Sequence, residues 1–189
     1  MISGDLPDGM HIGARVKVQT EPKNNDEKLR YDNAWIRYIG PIHLAKNKNA
    51  IYIGIEWDQA NGKHNGTLKD VHYFDITKES PNNEKYGAFV HPKRIKVGIN
   101  FMQALRNTYA WEKDNTSSSS SNSKLDNIEF VGEASLVSQL SQFTQLTRIK
   151  LSNSNIAYIM THINEIKENC SNCQYLDLEA NLLSSWEDV

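Results

Sequence analysis

Apolar and polar side chains alternate over several short segments in the first hundred residues. The alternation covers residues 12–20, 34–39, 51–58, 71–76 and 86–92, and β-branched and aromatic side chains are enriched there. This pattern is typical of strands that bury one face and expose the other. Four to six short strands at this spacing predict a small antiparallel barrel.

The periodicity changes after this region. Phe101, Leu105 and Tyr109 recur every four residues, which predicts a short helix with one apolar face. Five consecutive serines follow at residues 117–121, inside a polar stretch. Such a stretch cannot bury enough apolar area to offset its ordering entropy, so we expect a flexible linker there.

A third region mixes short helical and strand-like patterns. Residues 136–143 fit a helix, residues 146–151 a short strand and residues 156–166 another helix. Residues 173–183 fit the leucine-rich-repeat template, and Leu176 follows Ile149 by 27 positions, within the about 20–29 residues of that repeat class. Ser154 stands where the first copy should carry Asn. The sequence therefore predicts an incomplete leucine-rich repeat region, since its second copy is cut off at Val189.

Composition excludes several classes of protein. The chain has 189 residues with 39% hydrophobic side chains and a net charge of −2, which favours neither a disordered nor a nucleic-acid-binding protein. Its two cysteines form no disulfide framework, so a reducing compartment is expected. We find neither a signal peptide nor an apolar run of about 20 residues. We therefore expect a cytoplasmic protein with no membrane and no nucleic-acid partner.

The segment Gly62-Lys63-His64-Asn65-Gly66 lies between two predicted strands. Two glycines so close together allow an exposed, tightly shaped loop. The loop resembles the Gly-Lys-Asn-Asp-Gly signature of the CAP-Gly domain, with His64 and Asn65 where Asn and Asp are usual. Matching motifs occur in order over most of residues 13–96, at 15–18, 36–40, 54–58 and 87–92.

This resemblance implies a multi-domain chain. An all-β, SH3-like CAP-Gly barrel is expected at residues 10–98, a short helix and serine-rich linker at 99–126, and a truncated α/β leucine-rich repeat region at 127–189. That order of domains is similar to the tubulin-folding cofactor E family, in which a His after the Lys also occurs. Residues 101–109 and 181–186 resemble the same family.

CAP-Gly domains are known as readers of acidic C-terminal tails that end in an aromatic residue, such as the tail of α-tubulin. Lys63 suits a carboxylate, Asn65 and His64 offer side-chain donors, and glycines let backbone N–H groups approach a ligand. Residues 63–96 carry seven Lys and Arg against four Asp and Glu, which favours an acidic partner. The resemblance assigns peptide binding to Tyr52, Gly62, Lys63, His64, Asn65, Gly66, Phe89 and His91.

Several of these residues have a simpler interpretation. Phe89 fits either a wall of the ligand slot or the core, and Trp57 alternates with Ile53 and Ile55, which favours core packing. His91 stands where many CAP-Gly domains carry Arg, and Lys63 alone would be an ordinary solvated side chain. The Cys170-x-x-Cys173 spacing suits zinc but lacks two further ligands, so we expect neither a metal nor another cofactor.

The leading hypothesis is a tubulin-folding cofactor that captures the α-tubulin tail. With the other tubulin-folding cofactors it would take part in assembling and disassembling the αβ-tubulin heterodimer. The alternative is a microtubule-associated adaptor of the plus-end or dynein-adaptor type, although no sustained heptads occur. Pelleting with microtubules would favour the adaptor. An enzyme is disfavoured, because Gly62-Lys63 lacks the rest of a phosphate loop and no catalytic set is recognisable.

Overall fold

A computed structural model describes residues 6–20, 30–43, 50–79, 82–109, 143–159 and 163–184. The chain forms two compact units, Met1–Gly98 and Ile99–Val189. The expected serine-rich linker lies outside the described residues, as does nearly all of the helix expected at residues 136–143.

The first unit is built on one antiparallel sheet of five strands, in the order β6-β3-β2-β1-β7. A 3-10 helix, Pro92–Arg94, connects the two edge strands β6 and β7. Because only four residues, 91–94, separate these two strands, the sheet must curve to bring its edges together, as the predicted all-β barrel requires. The strands of the unit are β1 (Arg15–Thr20), β2 (Arg30–Pro41), β3 (Ile51–Trp57), β4 (Thr67–Leu68), β5 (Val71–His72), β6 (Gly87–Val90) and β7 (Ile95–Val97).

One face of the sheet forms the core. The cross-strand pairs Val16–Ala34, Ile36–Ile55 and Ile53–Val90 set the register, so that alternate side chains point inward. Trp57 is 5% exposed and packs in this cluster, so its interpretation as a core residue is confirmed. The buried cluster comprises Ala14, Val16, Val18, Ala34, Ile36, Ile53, Ile55, Trp57, Ala88, Val90 and Ile95.

A β-bulge in β2 changes which side chains lie on the opposite face of the sheet. The register between β2 and β3 shifts between Ile36 and Tyr38, so Arg37 is an extra residue. Ile36 and Ile39 therefore both reach the core cluster, while Tyr38 pairs with Gly54 on the other face.

Arg37 holds a buried carboxylate on that face. Its Nε donates to Glu56 Oε2 at 2.6 Å, and Glu56 is fully buried. The backbone N–H groups of Thr77 and Lys78 donate to Glu56 Oε1 at 3.1 and 3.0 Å. Glu56 thus fixes the backbone at Thr77 and Lys78, in the segment that follows β5.

Two predicted strands are shorter than expected. β1 begins at Arg15 rather than at residue 12, and Ile12 is 63% exposed. The strand expected at 71–76 is only Val71–His72, which pairs with β4 across Lys69 and Asp70. Both turn residues have positive φ, 46° and 64°, as a type I′ hairpin turn requires.

The second unit contains the predicted helix over its whole expected length, Phe101–Tyr109 (α1). The Asn100 side chain accepts the Gln103 N–H at 2.8 Å and caps the start of this helix. No helix in the described ranges is long and apolar enough to cross a membrane. The other elements are β8 (Ile99–Asn100), β9 (Arg148–Lys150), β10 (Ile156–Tyr158), α2 (Ile163–Asn169) and β11 (Tyr175–Asp177).

The helix predicted at residues 156–166 is wrong in its first part. Ile156–Tyr158 is a strand that pairs in parallel with β8, and the helix that follows in the described residues is Ile163–Asn169. The Ile156 N–H donates to the Asn181 side chain at 2.9 Å rather than within a helical turn. Apolar spacing alone could not reveal this contact, because it joins residues 25 positions apart.

Candidate functional site

The loop at residues 62–66 is docked on the segment that leads into β6. Gly62 N–H donates to Lys85 O at 2.7 Å, and Lys63 N–H donates to Gly87 O at 2.8 Å. Gly87 N–H returns a bond to His64 O at 2.7 Å, which makes His64 and Gly87 an antiparallel bridge. The shape of the loop is therefore fixed by main-chain hydrogen bonds.

Both glycines of the loop allow close approach of neighbouring backbone. Gly66 has a φ of +88°, and a Cβ there would lie 1.7 Å from Phe74 O. At Gly62 a Cβ would lie 2.5 Å from Gly87 N. The N–H groups of the two glycines themselves bond within the protein, that of Gly62 to Lys85 O and that of Gly66 to His64 Nδ1 at 3.1 Å.

His64 of the loop and four aromatic side chains beside it form what we call the ring cluster: Tyr38, His64, Tyr73, Phe74 and Phe89. Phe89 is its centre, with ring centroids 5.0 Å from His64, 5.2 Å from Tyr73, 5.5 Å from Phe74 and 6.0 Å from Tyr38. Most of these contacts are edge-on, the geometry that aromatic pairs favour. Gly54 makes room for the cluster, since a Cβ there would lie 2.6 Å from Phe74 Cε1.

Sequence reasoning found only part of this cluster. Phe89 is half-buried at its centre, and Tyr52 lies on the same face of β3, two residues from Gly54. Tyr52 makes no ring contact with the cluster within the described residues. Tyr38, Tyr73 and Phe74 were not predicted. The pairing of Tyr38 with Gly54 could have indicated this cluster. The bulge in β2 shifts the register, so the sequence pattern alone does not show that pairing.

Lys63 and His64 differ in their surroundings. The Lys63 side chain is exposed and has no ion-pair partner among the described residues. His64 is half-buried, and its Nδ1 accepts a hydrogen bond, so a neutral ring carries its proton on Nε2. Burial, with the nearby positive charge of Lys85, lowers the pKa of His64 below its ordinary value. The loop thus presents one free ammonium and one imidazole N–H.

Asn65 and His91 have structural partners. Asn65 Nδ2 donates to Glu84 O at 3.0 Å and its Oδ1 accepts the Tyr86 N–H at 3.0 Å. One N–H of the amide remains for a ligand. His91 Nδ1 accepts the Lys93 N–H at 3.3 Å and caps the 3-10 helix. Both side chains therefore hold the backbone around the ring cluster.

Two cavities of the described residues lie outside this site. A polar one of about 210 Å³ is lined in part by Tyr31, Trp57 and Asp58. An apolar one of about 320 Å³ in the second unit is lined in part by Cys170 and Cys173, which are free thiols. Neither of these two cavities includes a predicted site residue.

A curved antiparallel sheet with a glycine-framed loop against its edge strand and a ring cluster beside it defines a class of protein module. Residues 12–95 match the CAP-Gly domain family, and the first unit is therefore a CAP-Gly domain. The expected all-β fold of this part of the chain is confirmed.

The similarity to whole proteins extends further. The chain is 32% identical to Protein PAC2 of Saccharomyces cerevisiae over 158 residues, 79% of this chain and 29% of that protein. It is 29% identical to tubulin-specific chaperone E of Bos taurus over 182 residues, 94% of this chain and 31% of that protein. It is 28% identical to tubulin-folding cofactor E of Arabidopsis thaliana over 160 residues, 82% of this chain and 28% of that protein.

This chain is therefore homologous to tubulin-specific chaperone E, also named tubulin-folding cofactor E, over most of its length and at modest identity. It spans less than a third of the length of these curated relatives.

Proposed function

We propose that the CAP-Gly domain captures an acidic peptide C-terminus that ends in an aromatic residue, with the α-tubulin tail as its ligand. The chain would act as a tubulin-folding cofactor in the assembly and disassembly of the αβ-tubulin heterodimer. The observation that carries this proposal is the ring cluster around Phe89 directly beside the exposed Lys63. Homology to tubulin-specific chaperone E supports it.

Each part of the loop suits one part of such a ligand. The Lys63 ammonium attracts the carboxylates, while His64 Nε2–H and the free Asn65 N–H donate to the chain terminus. The terminal aromatic ring packs against Phe89. Tyr52 and His91 border the site, and Gly62 and Gly66 give the loop its shape. Such an interface buries less than about 1,200 Å², the range of weak and transient contacts.

Titration with two peptides tests this directly. A peptide ending in Glu-Glu-Tyr should bind at least about tenfold more tightly than the same peptide without Tyr, because burying an aromatic side chain contributes about 1.5–3 kcal/mol. Calorimetric titration of the full chain measures both affinities. Equal affinity for the two peptides would contradict a ring-binding site.

The contribution of Lys63 is tested by charge removal. Lys63→Ala should weaken binding about three- to tenfold and reduce its salt dependence, because it removes a charge directed at the peptide. Lys69→Ala is the matched control, since Lys69 is also exposed and lies on the neighbouring hairpin turn. Equal weakening by both variants would indicate that general charge attraction, and not a specific Lys63 contact, accounts for the effect.

We also propose that the second unit is the beginning of a leucine-rich repeat region that supplies a second contact surface for tubulin. Support comes from the parallel pairing of β9 with β11, in which Ile149 lies opposite Leu176, its equivalent 27 residues later. Asn181, at the Asn position of the template, bonds through its side chain to neighbouring backbone. It accepts from Ser154 N at 3.0 Å and donates to Leu151 O at 2.7 Å.

Asn181→Ala should destabilise the second unit by about 2–3 kcal/mol, because it leaves several backbone groups without partners in a site that is 9% exposed. Asn172→Ala is the control. Asn172 is exposed and makes one bond, to Thr144 O at 2.7 Å, so we expect less than about 0.5 kcal/mol. Urea unfolding followed by amide signals of β9 and β11 measures both, and equal losses would argue against a repeat-like role for Asn181.

The remaining features follow from the same proposal. We propose the division into a CAP-Gly domain at 10–98, a helix and linker at 99–126 and a repeat region at 127–189. The chain would be a non-catalytic, cytoplasmic and cytoskeleton-associated protein whose partners are α-tubulin and other tubulin-folding cofactors. The names of its relatives, chaperone and cofactor, support this assignment.

A further inference from the structure

His64 occupies a position in the loop at which its protonation state matters. Its Nδ1 accepts the Gly66 N–H at 3.1 Å, and its ring lies 5.0 Å from Phe89 and 5.9 Å from Phe74. Only an unprotonated nitrogen can accept a hydrogen bond, so this contact requires the neutral ring with its proton on Nε2. With a proton on Nδ1, both that N–H and the Gly66 N–H would be donors, and no hydrogen bond could form between them.

The backbone around this contact has little room to adjust. Gly66 O accepts the Tyr73 N–H at 3.0 Å, and a Cβ on Gly66 would lie 1.7 Å from Phe74 O, which shows how closely the two segments approach. His64 itself is bridged to Gly87 in both directions. Gly66 and His64 therefore cannot separate without disturbing the ring cluster.

The charged groups on the surrounding elements also favour the neutral ring. Lys63 on the loop and Lys85 before β6 are positive and exposed. Glu84 is engaged by the Tyr86 hydroxyl at 2.6 Å, and Asp75 pairs with His72 at 3.1 Å. The two rings in contact with His64, those of Phe74 and Phe89, carry no charge.

We propose that His64, in addition to donating its Nε2–H to the tail, positions the loop through Nδ1 and thereby makes capture of the acidic tail pH-dependent. The neutral imidazole holds Gly66 and the loop in the binding conformation, and protonation of Nδ1 breaks this contact and weakens tail binding. This inference rests on the proposed tail-binding function. The usual Asn of the signature could accept the same N–H two residues along the chain without titrating, as Asn side chains do in Asx turns.

The matched variant is therefore His64→Asn. The affinity for a peptide ending in Glu-Glu-Tyr is measured by titration of the full chain at pH 7.5, 6.5 and 5.5 and constant ionic strength. The glutamates stay largely ionised there, since their pKa is about 4.3. Relative to His64→Asn, the wild type should lose up to about tenfold between pH 7.5 and 5.5, the limit for one group with an ordinary His pKa.

The other histidines are present in both proteins, so their titration cancels in the comparison. Parallel affinity profiles of wild type and His64→Asn would overturn the inference while leaving tail capture intact. Tighter binding by the wild type in acid, relative to the variant, would also overturn it, because protonation would then strengthen the contact with the tail more than it disturbs the loop. Absence of binding at pH 7.5 in both proteins would instead contradict the proposed function.

A second measurement needs neither peptide nor variant. In the wild-type chain, nitrogen NMR shifts of the His64 ring should report the Nε2–H tautomer at pH 7.5, and the Gly66 amide signal should shift with the same midpoint as the ring. A Gly66 signal that does not follow the ring would overturn the inference even if His64→Asn failed to fold.

Discussion

Gly66→Ala is expected to destabilise the CAP-Gly domain by about 4 kcal/mol, within the range that marks an exceptional substitution. The φ of +88° alone costs an alanine about 1–2 kcal/mol. The larger part comes from the Cβ, which would lie 1.7 Å from Phe74 O. That clash forces the loop away from the segment that carries Phe74. Urea unfolding of the full chain, followed by amide signals of β2 and β3, measures the loss.

Gly13→Ala separates the two contributions. Gly13 has nearly the same φ, +89°, but a Cβ there would meet nothing within 4 Å. We expect it to cost only about 1–2 kcal/mol, the backbone part alone. If Gly66→Ala costs no more than Gly13→Ala, the loop and the Phe74 segment are free to move apart, which would contradict the fixed docking of the loop. Gly66→Ala should also abolish tail binding, while Gly13→Ala should not.

The sheet was predictable because burial of one face imposes a period of two on the sequence. Ile53, Ile55 and Trp57 alternate along β3 and all three lie in the core. The loop was predictable for a different reason. Its two glycines mark places where backbone segments approach too closely for any side chain, and such places leave a local signature.

The ring cluster was less predictable, because it depends on register rather than on local pattern. Tyr73 and Phe74 continue the alternation of β5 in the sequence, yet they leave the ladder to contact Phe89. Tyr38 joins them only because the bulge at Arg37 moves the Tyr38 side chain to the face of the sheet that carries Gly54. The role of the Asn65 side chain was unpredictable for the same reason, because its Nδ2 donates to Glu84 O, 19 residues away in the sequence. Contacts between distant segments set these details.

Glu56→Gln is expected to destabilise the CAP-Gly domain by about 3 kcal/mol at neutral pH, because removing one partner of a buried ion pair leaves the other without compensation. Glu56 is fully buried, and Arg37, whose side chain is 22% exposed, donates to it at 2.6 Å. The loss should therefore fall on the segment that Thr77 and Lys78 anchor to the same carboxylate. Asp32→Asn, which breaks an exposed pair with Arg30, should cost no more than about 1 kcal/mol.

The pH dependence of this difference identifies the ionised carboxylate as its source. Burial alone would raise the pKa of Glu56, but hydrogen bonds from Arg37 and Thr77 outweigh it and hold the pKa below its ordinary 4.5. A lowered folded-state pKa contributes stability that is present above the unfolded value and lost as the pH falls through the folded one. The free energy of unfolding of the wild type should thus approach that of Glu56→Gln below pH 4.5. A difference that stays constant from pH 7 to pH 3 would mean that packing, and not charge, accounts for the loss.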